Sequence, residues 1–493
     1  MKNKVLIIFM ITLNIFVICY SKELSHNNDT ANMIDISLED VIQLVLKNSL
    51  DIQIAKFDAY RKRTNLEKAE SIFDTFLNAS VSYLDDEKKP ANTILGTKTT
   101  TNTYSFGIEK KLPTGSKLKI NTQDERTVSD SSFASVNPRH EATVGLSITQ
   151  QFGKNFFGLA DRAQIKITKI DIENAEYSSL DNIEQALYEA QIAYWNLVLK
   201  KKQLNTRMDM LKEAKKLYDI YKEKYDLGLV ESGDLFAVEA NLRTRQNDVL
   251  AARLEKEIAK NDLLFLLNAE DTSVQLNPLD SLHIVPYSVD LYTSLREAIE
   301  HRRDYKIIKN QLEALDIDIK VKKNSLWPEI DLETSFLKNG LDTKYQESWQ
   351  DIAGEDNSEV FVGITFKVPL ENRSAKSQLK ETQLKKQQSI LSFKQIERLI
   401  LKEIHSKVSQ VNTLMDQVRL LSSIVELEES KLKEETKRLK YGRSSSDIII
   451  RYEEDLLQAR LDLTRSLFNY RVSLINLDLA KNTLLDRYWE DEL

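Results

Sequence analysis

The chain has 493 residues, of which only 12 are glycine and 7 are proline, while 29% are charged residues of mixed sign. So few turn-forming residues favour long helices with solvated faces over several ordinary globular domains. The net charge of -7, without a basic stripe, argues against a nucleic-acid partner. The five histidines are scattered, with no second ligand at metal-binding spacing, so we predict neither a metal site nor a cofactor.

The N-terminus has the pattern of a secretory signal. Lys2 and Lys4 precede an apolar run from Val5 to Ile18, and a cut after Ser21 would leave a mature chain without cysteine. A lipoprotein signal with Cys19 acylated is the alternative, but the bulky residues before that cysteine fit it poorly. We therefore predict a signal peptide at residues 1–21.

Residues 22–35 are polar and without pattern, and we predict a flexible leader there. A helical period begins after Ser37 and continues to about Phe73. Apolar residues then recur at every second position between about 76 and 150, which predicts strands with one apolar face. Pro113-Thr114-Gly115 predicts a turn between two of these strands.

A long helical hairpin is predicted over residues 159–268. Its first helix runs without proline to about Leu227 and would be roughly 100 Å long at ~1.5 Å per residue. Its second helix runs from about Asp234 to Asn268. Pro278 and Pro286 then mark a linker.

The same order of predicted elements occurs again in the second half of the chain. A helix at about 291–326 is followed by strands at about 330–368, a polar loop between them, and a second long hairpin at 374–488. One set of residues recurs 214 positions later: Gly228, Ser232, Leu235, Glu239 and Leu242 return as Gly442, Ser446, Ile449, Glu453 and Leu456. We therefore predict two structural repeats, 36–280 and 281–488.

Helices of this length cannot fold inside a globule of this size, so they must pack against other long helices in a coiled coil or a tube wall. The few strands of one chain cannot close a barrel of useful size, and open strand edges are not tolerated in lipid. Strands from several protomers would therefore combine into one barrel. A small soluble β-domain is the alternative interpretation of the same strands.

The chain resembles the TolC-type outer-membrane efflux family over residues 36–488. The shared feature is the order of elements behind a signal peptide: helix, strands, long helix and helix, present twice. The resemblance lies in two helix tips, Tyr225–Leu235 and Tyr441–Ile448, and in two strand-to-helix junctions, Gln150–Gly153 and Val368–Asn372. Each motif alone is weak evidence for the family, whereas the order of the motifs and their duplication are specific to it.

The resemblance implies a mainly α-helical protomer with a membrane β-barrel portion. Three copies would form one outer-membrane barrel and a long α-helical periplasmic tunnel. It also implies a passive exit duct for efflux or type I secretion, whose partners are a periplasmic adaptor and an inner-membrane pump. Chemistry is not part of this function, so we predict that the protein is not an enzyme.

The helix tips are the predicted sites of adaptor docking, through Gly228, Leu229, Ser232, Gly442, Arg443 and Ser446. The glycines suit left-handed helix ends, and the serines suit N-caps, so a purely structural role in the turn is the simpler interpretation. Asp234 and Asp447 are candidates for a pore constriction, where three copies would repel each other and attract cations. Capping of their own helices is the alternative role.

The sequence departs from the family pattern in two places. Ser444 and Arg451 stand where family members often carry gate residues. The first repeat has four alternating segments against two in the second, and the extra hairpin at about 104–121 would either lengthen the barrel wall or fold outside it.

Three other functions fit the sequence less well. A periplasmic adaptor would have one helical hairpin between lipoyl-like halves, which the duplication contradicts. A coiled-coil scaffold would lack the strands at 76–150 and 330–368. An enzyme would need a nucleophile with its base, a phosphate loop or a metal cluster, none of which the sequence contains.

Overall fold

A computed structural model describes residues 33–89, 96–284, 289–354 and 356–488. The predicted signal peptide with Cys19, the leader up to residue 32, and Pro286 of the linker lie outside these residues. In the first repeat the elements are β1 (Met33–Ile36), α1 (Leu38–Asn48), α2 (Leu50–Glu70), β2 (Thr75–Asp86), β3 (Thr99–Lys111), β4 (Ser116–Ser129), β5 (Arg139–Gln151), α3 (Leu159–Asp226) and α4 (Ser232–Leu266). β6 (Gln275–Pro278) follows α4 at the end of the first predicted repeat, and the second contains α5 (Leu291–His301), α6 (Arg303–Asn324), β7 (Glu329–Asp342), α7 (Tyr345–Gly354), β8 (Ser358–Lys367), α8 (Arg373–Lys440) and α9 (Ser446–Lys481).

Four details differ from the sequence prediction. Residues 33–35, predicted to belong to the flexible leader, form β1 because they pair in parallel with β6. Pro278, predicted to mark the linker, is part of β6. The helices predicted at 37–73 and 291–326 are each two helices, broken where Ser49 and Arg302 adopt extended backbone. The polar loop between β7 and β8 contains α7.

The two repeats match closely in their helices. α3 and α8 are both 68 residues long, and α3 begins 214 residues before α8, the offset seen in the sequence. α1 and α5 are both 11 residues long. Each of these begins with a side-chain cap: the Ser37 hydroxyl accepts a hydrogen bond from the Asp40 amide, and the Asp290 carboxylate accepts one from the Thr293 amide.

The strands of both repeats form one antiparallel sheet of six strands in the order β2-β3-β4-β5-β7-β8. β5 of the first repeat pairs with β7 of the second from His140 opposite Asp342 to Gln151 opposite Asp331. The extra hairpin, β3–β4, therefore lies inside the sheet. In the described part of the chain, β2 and β8 each pair along one side only and form the two edges.

The core runs along the helices. Its largest cluster joins α1, α2, α3 and α4 around Ile183, Leu187, Tyr194 and Leu263. A second cluster joins α5, α8 and α9 around Ile404, Val411 and Tyr470. Among the described residues, no helix combines the length and the apolar character needed to cross a membrane.

Candidate functional sites: the sheet faces and the helix tips

One face of the six-stranded sheet is apolar. Successive side chains along a strand point to opposite faces, so the register identifies every residue of each face. One cross-strand row of this face contains Leu77, Ile108, Ile120, Leu146, Phe336 and Val360. These side chains remain exposed in the single chain, and at the sheet edges Val81 is 76% and Ile364 72% exposed. We call this surface the apolar face.

The opposite face is polar. It carries Ser80, Ser82, Thr103, Ser105, Asn121, Gln123, Glu125, Glu141, Thr143, Ser147, Glu333, Ser335 and Asn339, among a few apolar residues such as Phe76 and Phe361. A sheet that exposes aliphatic and aromatic side chains on one side and hydroxyl, amide and carboxylate groups on the other is suited to separate a nonaqueous medium from water.

Helix α7 folds back onto the apolar face at the end of the strands remote from the long helices. It covers a polar pair on that face, Asp124 and His140, whose Oδ2 and Nδ1 atoms are 3.3 Å apart. The His140 ring also contacts Tyr345 edge-on, with centroids 6.1 Å apart. Gly340 permits this close approach, since a Cβ there would lie 2.0 Å from the Ser348 carbonyl oxygen. α7 therefore shields a polar pair that would otherwise interrupt the apolar face.

The other end of the sheet joins the helices. The predicted turn at Pro113-Thr114-Gly115 connects β3 to β4 and rests on the start of α3. A Cβ at Gly115, whose φ is +76°, would lie 2.5 Å from the Gly158 amide nitrogen. Lys111 also forms a 2.7 Å ion pair with Asp161 in the first turn of α3. The turn between β3 and β4 is thus anchored to the start of α3.

The two helix tips have the same backbone structure. At the first, the Leu229 amide donates to the Lys224 carbonyl at 2.8 Å and the Gly228 amide to the Tyr225 carbonyl at 2.9 Å. At the second, the amides of Arg443 and Gly442 donate to equivalent carbonyls at 2.9 and 3.0 Å. Both glycines have φ +68°, so each long helix ends in a Schellman motif as predicted for glycine at this position.

The serines of the tips lie one position further along than predicted. The N-cap residues are Glu231 and Ser445, without side-chain capping bonds, and Ser232 and Ser446 are the first helical residues. The two also differ in burial, since Ser446 is buried and Ser232 is exposed. The prediction that both serines cap their helices is therefore wrong by one residue, because each helix begins one residue earlier than assumed, at the serine itself.

The first turns of α4 and α9 carry Asp234 and Asp447 as predicted. Both lie near Tyr221 of α3, a buried residue of the cluster that joins the tips through Leu217, Val238 and Ile449. Burial raises the pKa of the Tyr221 hydroxyl, and the charges of Asp234 and Asp447 raise it further. No described contact joins the two aspartates to each other.

A buried carboxyl group lies on α9 near the tips. Burial raises the pKa of Glu453 to about 7, a shift that Arg245 of α4 opposes and Glu213 of α3 assists. Arg245 itself forms a 2.5 Å ion pair with Glu454. The sequence analysis identified Glu453 only as the residue that corresponds to Glu239 in the other repeat. Its burial could have been predicted from its position between Ile449 and Leu456 on the buried side of the helix.

A second buried charged cluster joins the two repeats near the middle of the molecule. Arg303, at the start of α6, contacts Glu184 of α3 at 2.5 Å and Asp181 at 2.9 Å. Asn482 donates to the same Glu184 carboxylate at 2.7 Å, and the Leu484 amide donates to it at 2.8 Å. Burial lowers the pKa of Arg303, but the charges and hydrogen bonds of Glu184 and Asp181 together outweigh burial, so the pKa is raised above its ordinary value and the guanidinium stays charged. No pattern in the sequence indicated this contact, which we call the inter-repeat joint.

Within the described residues, no group of three or more His, Cys, Asp or Glu side chains is arranged to hold a metal ion. The helix tips and the two faces of the sheet are the candidate functional sites.

No protein-family model matches the chain, and a search of curated proteins finds no match. Solved structures match it over nearly its whole length. The CmeC outer membrane channel of Campylobacter jejuni aligns with a TM-score of 0.66 at 16% identity, covering 92% of this chain and 87% of the other. For CusC, whose transmembrane channel formation has been described, the values are 0.67 and 15%, covering 93% and 95%. For the outer membrane protein VceC of Vibrio cholerae they are 0.63 and 17%, covering 91% and 95%. At these identities the likeness concerns the fold, and the predicted TolC-like fold is confirmed.

Proposed function

We propose that the chain is the protomer of a homotrimeric outer-membrane channel. Its sheet contributes to one barrel in the outer membrane, with the apolar face toward lipid and the polar face toward water. Its helices extend into the periplasm as part of a tunnel. The channel is passive: an inner-membrane pump supplies the energy for efflux or type I secretion, and a periplasmic adaptor connects pump and channel.

One observation carries this proposal: a sheet with one exposed apolar face is fused end to end with two 68-residue helices. The sheet matches a membrane wall, in which lipid-facing and water-facing side chains alternate. The helices, about 100 Å long at ~1.5 Å per residue, are long enough to cross most of an aqueous compartment beyond the membrane. A periplasmic adaptor or a coiled-coil scaffold would not need an apolar sheet face of this extent.

The helix tips supply the proposed docking surface. Gly228, Leu229, Ser232, Gly442 and Arg443 are exposed at the ends of the two hairpins, whereas Ser446 is buried and would support the turn from within. A Cβ added at Gly228 or Gly442 would meet no atom within 4 Å, so both turns have open space in front of them. An adaptor would pack its own helical ends into this space.

Asp234 and Asp447 are proposed to narrow the tunnel at the tips. Three copies of each carboxylate around a common axis would repel one another and attract cations. Their proximity to the Tyr221 cluster supports a position at the place where the hairpins converge.

The test is single-channel conductance in a planar bilayer, with mature protein purified in detergent. We expect discrete, cation-selective channels. Asp234→Ala and Asp447→Ala should reduce the cation selectivity, whereas Asp219→Ala, on the exposed surface of α3, serves as the matched control and should not change it. A protein that stays soluble as a monomer without detergent and gives no conductance would sink the channel proposal. If both variants form conducting channels with unchanged cation selectivity, the aspartates do not narrow the pore and only cap their own helices.

A further inference from the structure

We infer that the barrel wall contains six strands from each copy, eighteen in the trimer, and that it closes where β8 of one copy pairs with β2 of the next. This inference rests on the proposed trimeric channel and specifies its wall. The occupant of each free edge is therefore a second copy of this chain.

The two edge strands are built for pairing. β2 has 12 residues and β8 has 10, and nearly all of them are exposed on both faces. Isolated edges of this length present unpaired amides and carbonyls, which soluble proteins normally cover, shorten or charge. In lipid each unpaired group costs several kcal/mol, so both edges must be covered in the membrane.

The direction of the edge strands fits a ring of identical copies. The sheet is antiparallel throughout, and it contains an even number of strands. β2 consequently runs away from the helices and β8 runs back toward them, since β2 follows α2 and β8 precedes α8. Placing β8 beside β2 of the next copy gives another antiparallel pair and continues the alternation without interruption.

The register of the closing pair follows from the ends of the strands. Both strands meet helices at the same end of the sheet, so Leu77 near the start of β2 lies level with Phe366 near the end of β8. The pairs then become Leu77–Phe366, Ala79–Ile364, Val81–Val362 and Tyr83–Val360 between neighbouring copies. All eight of these residues belong to the apolar face. A shift of one residue would place polar side chains opposite apolar ones.

The strand tilt provides an independent check on this register. Within one copy, the row that begins at Thr75 ends at Val362 after six strands. The closing pair sets Val362 opposite Val81 of the next copy. Following the row of paired residues across the six strands of one copy therefore leads from Thr75 to Val81 on β2 of the next copy, a displacement of six residues along the strand. At ~3.3 Å per residue and ~4.8 Å per strand, this corresponds to a tilt of about 35°. Closed barrels have tilts of about 35–45°.

With the extra hairpin, the width of the sheet also matches the width of the helical wall. Four helix cross-sections per copy, from α3, α4, α8 and α9, span an arc of about 40 Å at ~10 Å per helix. Six strands tilted by ~35° span about 35 Å, and four would span only about 23 Å. With β3 and β4 in the wall, eighteen strands give a barrel about 34 Å across between opposite backbones, nearly as wide as the helical tube.

Cysteine cross-linking tests the closing contact. The sole native cysteine, Cys19, lies in the predicted signal peptide, so the mature chain offers a clean background. Val81→Cys combined with Val362→Cys should yield disulfide-linked dimers and trimers on mild oxidation in membranes. Val81→Cys with Phe366→Cys is the matched control: its cysteines would be four residues, ~13 Å, out of register and beyond disulfide reach. Cross-linking of the control alone would overturn the register.

Electron cryo-microscopy of the trimer in lipid nanodiscs counts the strands directly. Eighteen strands are expected; twelve strands with β3–β4 outside the wall would overturn the inference. Conductance of the same preparation separates the two proposals. A conducting trimer with fewer than eighteen strands contradicts the strand count only, whereas the absence of both trimer and conductance contradicts the proposed function and the inference with it.

Discussion

The two repeats of this chain are nearly identical in their helices and different in their strands. α3 and α8 have equal length, and the left-handed residues that flank the hairpins fall at equivalent places: Gly158 with Asn372, and Asn268 with Asn482. The strand regions share no such match, since the first contains four strands and the second contains two strands with α7 between them.

This difference shows which part of the molecule constrains the other. Helices that pack side by side over 68 residues must keep a common length, because an insertion would displace every later contact along the seam. A sheet accepts an extra hairpin between two of its strands, because β3 and β4 pair with β2 and β5 in the same antiparallel pattern and only widen the wall. The strand regions can therefore diverge while the helical regions cannot.

The largest effect is expected at the inter-repeat joint, where one repeat depends on the other. Arg303→Ala would leave the Glu184 carboxylate, which is 0% exposed, without its charged partner and should cost about 3–5 kcal/mol. Urea unfolding followed by circular dichroism of the helices measures this loss. Arg243→Ala, which breaks the exposed pair with Glu239, is the control and should cost less than about 1 kcal/mol. Equal losses in the two variants would show that the joint does not connect the repeats.

The next effect concerns pH and separates the equivalent residues Glu453 and Glu239. Burial raises the pKa of Glu453 from its ordinary value of 4.5 to about 7. Between these values the unfolded chain releases the proton while the folded chain retains it. The stability of the tip region therefore falls as pH rises through this range, by about 3 kcal/mol in total, and levels off about one pH unit above the folded pKa.

Hydrogen exchange of peptides covering residues 446–460, corrected for intrinsic rates, should show protection that decreases from pH 5 to pH 7. Glu453→Gln should remove this dependence. Glu239→Gln is the matched control in the other repeat and should preserve it, since the Glu239 side chain is 39% exposed. An unchanged pH dependence in Glu453→Gln would contradict the assignment.

The smallest effect tests the equivalence of the two tips. Gly228→Ala and Gly442→Ala should each destabilise their hairpin by about 1–2 kcal/mol, because both require the left-handed region and neither new Cβ meets a neighbour. Gly233→Ala, in the first turn of α4 with equally open space, should be neutral or slightly stabilising. Thermal unfolding compares the three variants. Unequal losses at Gly228 and Gly442 would show that one tip depends on packing that the other lacks.

The sequence was sufficient for the features that repeat along the chain. Period-two alternation identified all six strands, period 3.6 identified the long helices, and the 214-residue offset identified the duplication. The breaks at Ser49 and Arg302 were missed because neither residue is a helix breaker; the Arg302 side chain instead bonds to Glu403 at 2.6 Å and to the Ala480 carbonyl at 3.0 Å, far away in sequence. Glu184 and Arg303 were missed for the same reason, since both resemble ordinary surface charges until the fold buries them.

The inter-repeat joint also determines how the molecule can bend. From Glu184 the helix α3 continues unbroken to Asp226, a distance of about 63 Å at ~1.5 Å per residue. With the joint as a fixed pivot, each hairpin below it behaves as a lever arm. A rotation of about 5° at the joint displaces the tip by about 5 Å over that length, so a rearrangement too small to disturb the buried core is enough to move the helix tip.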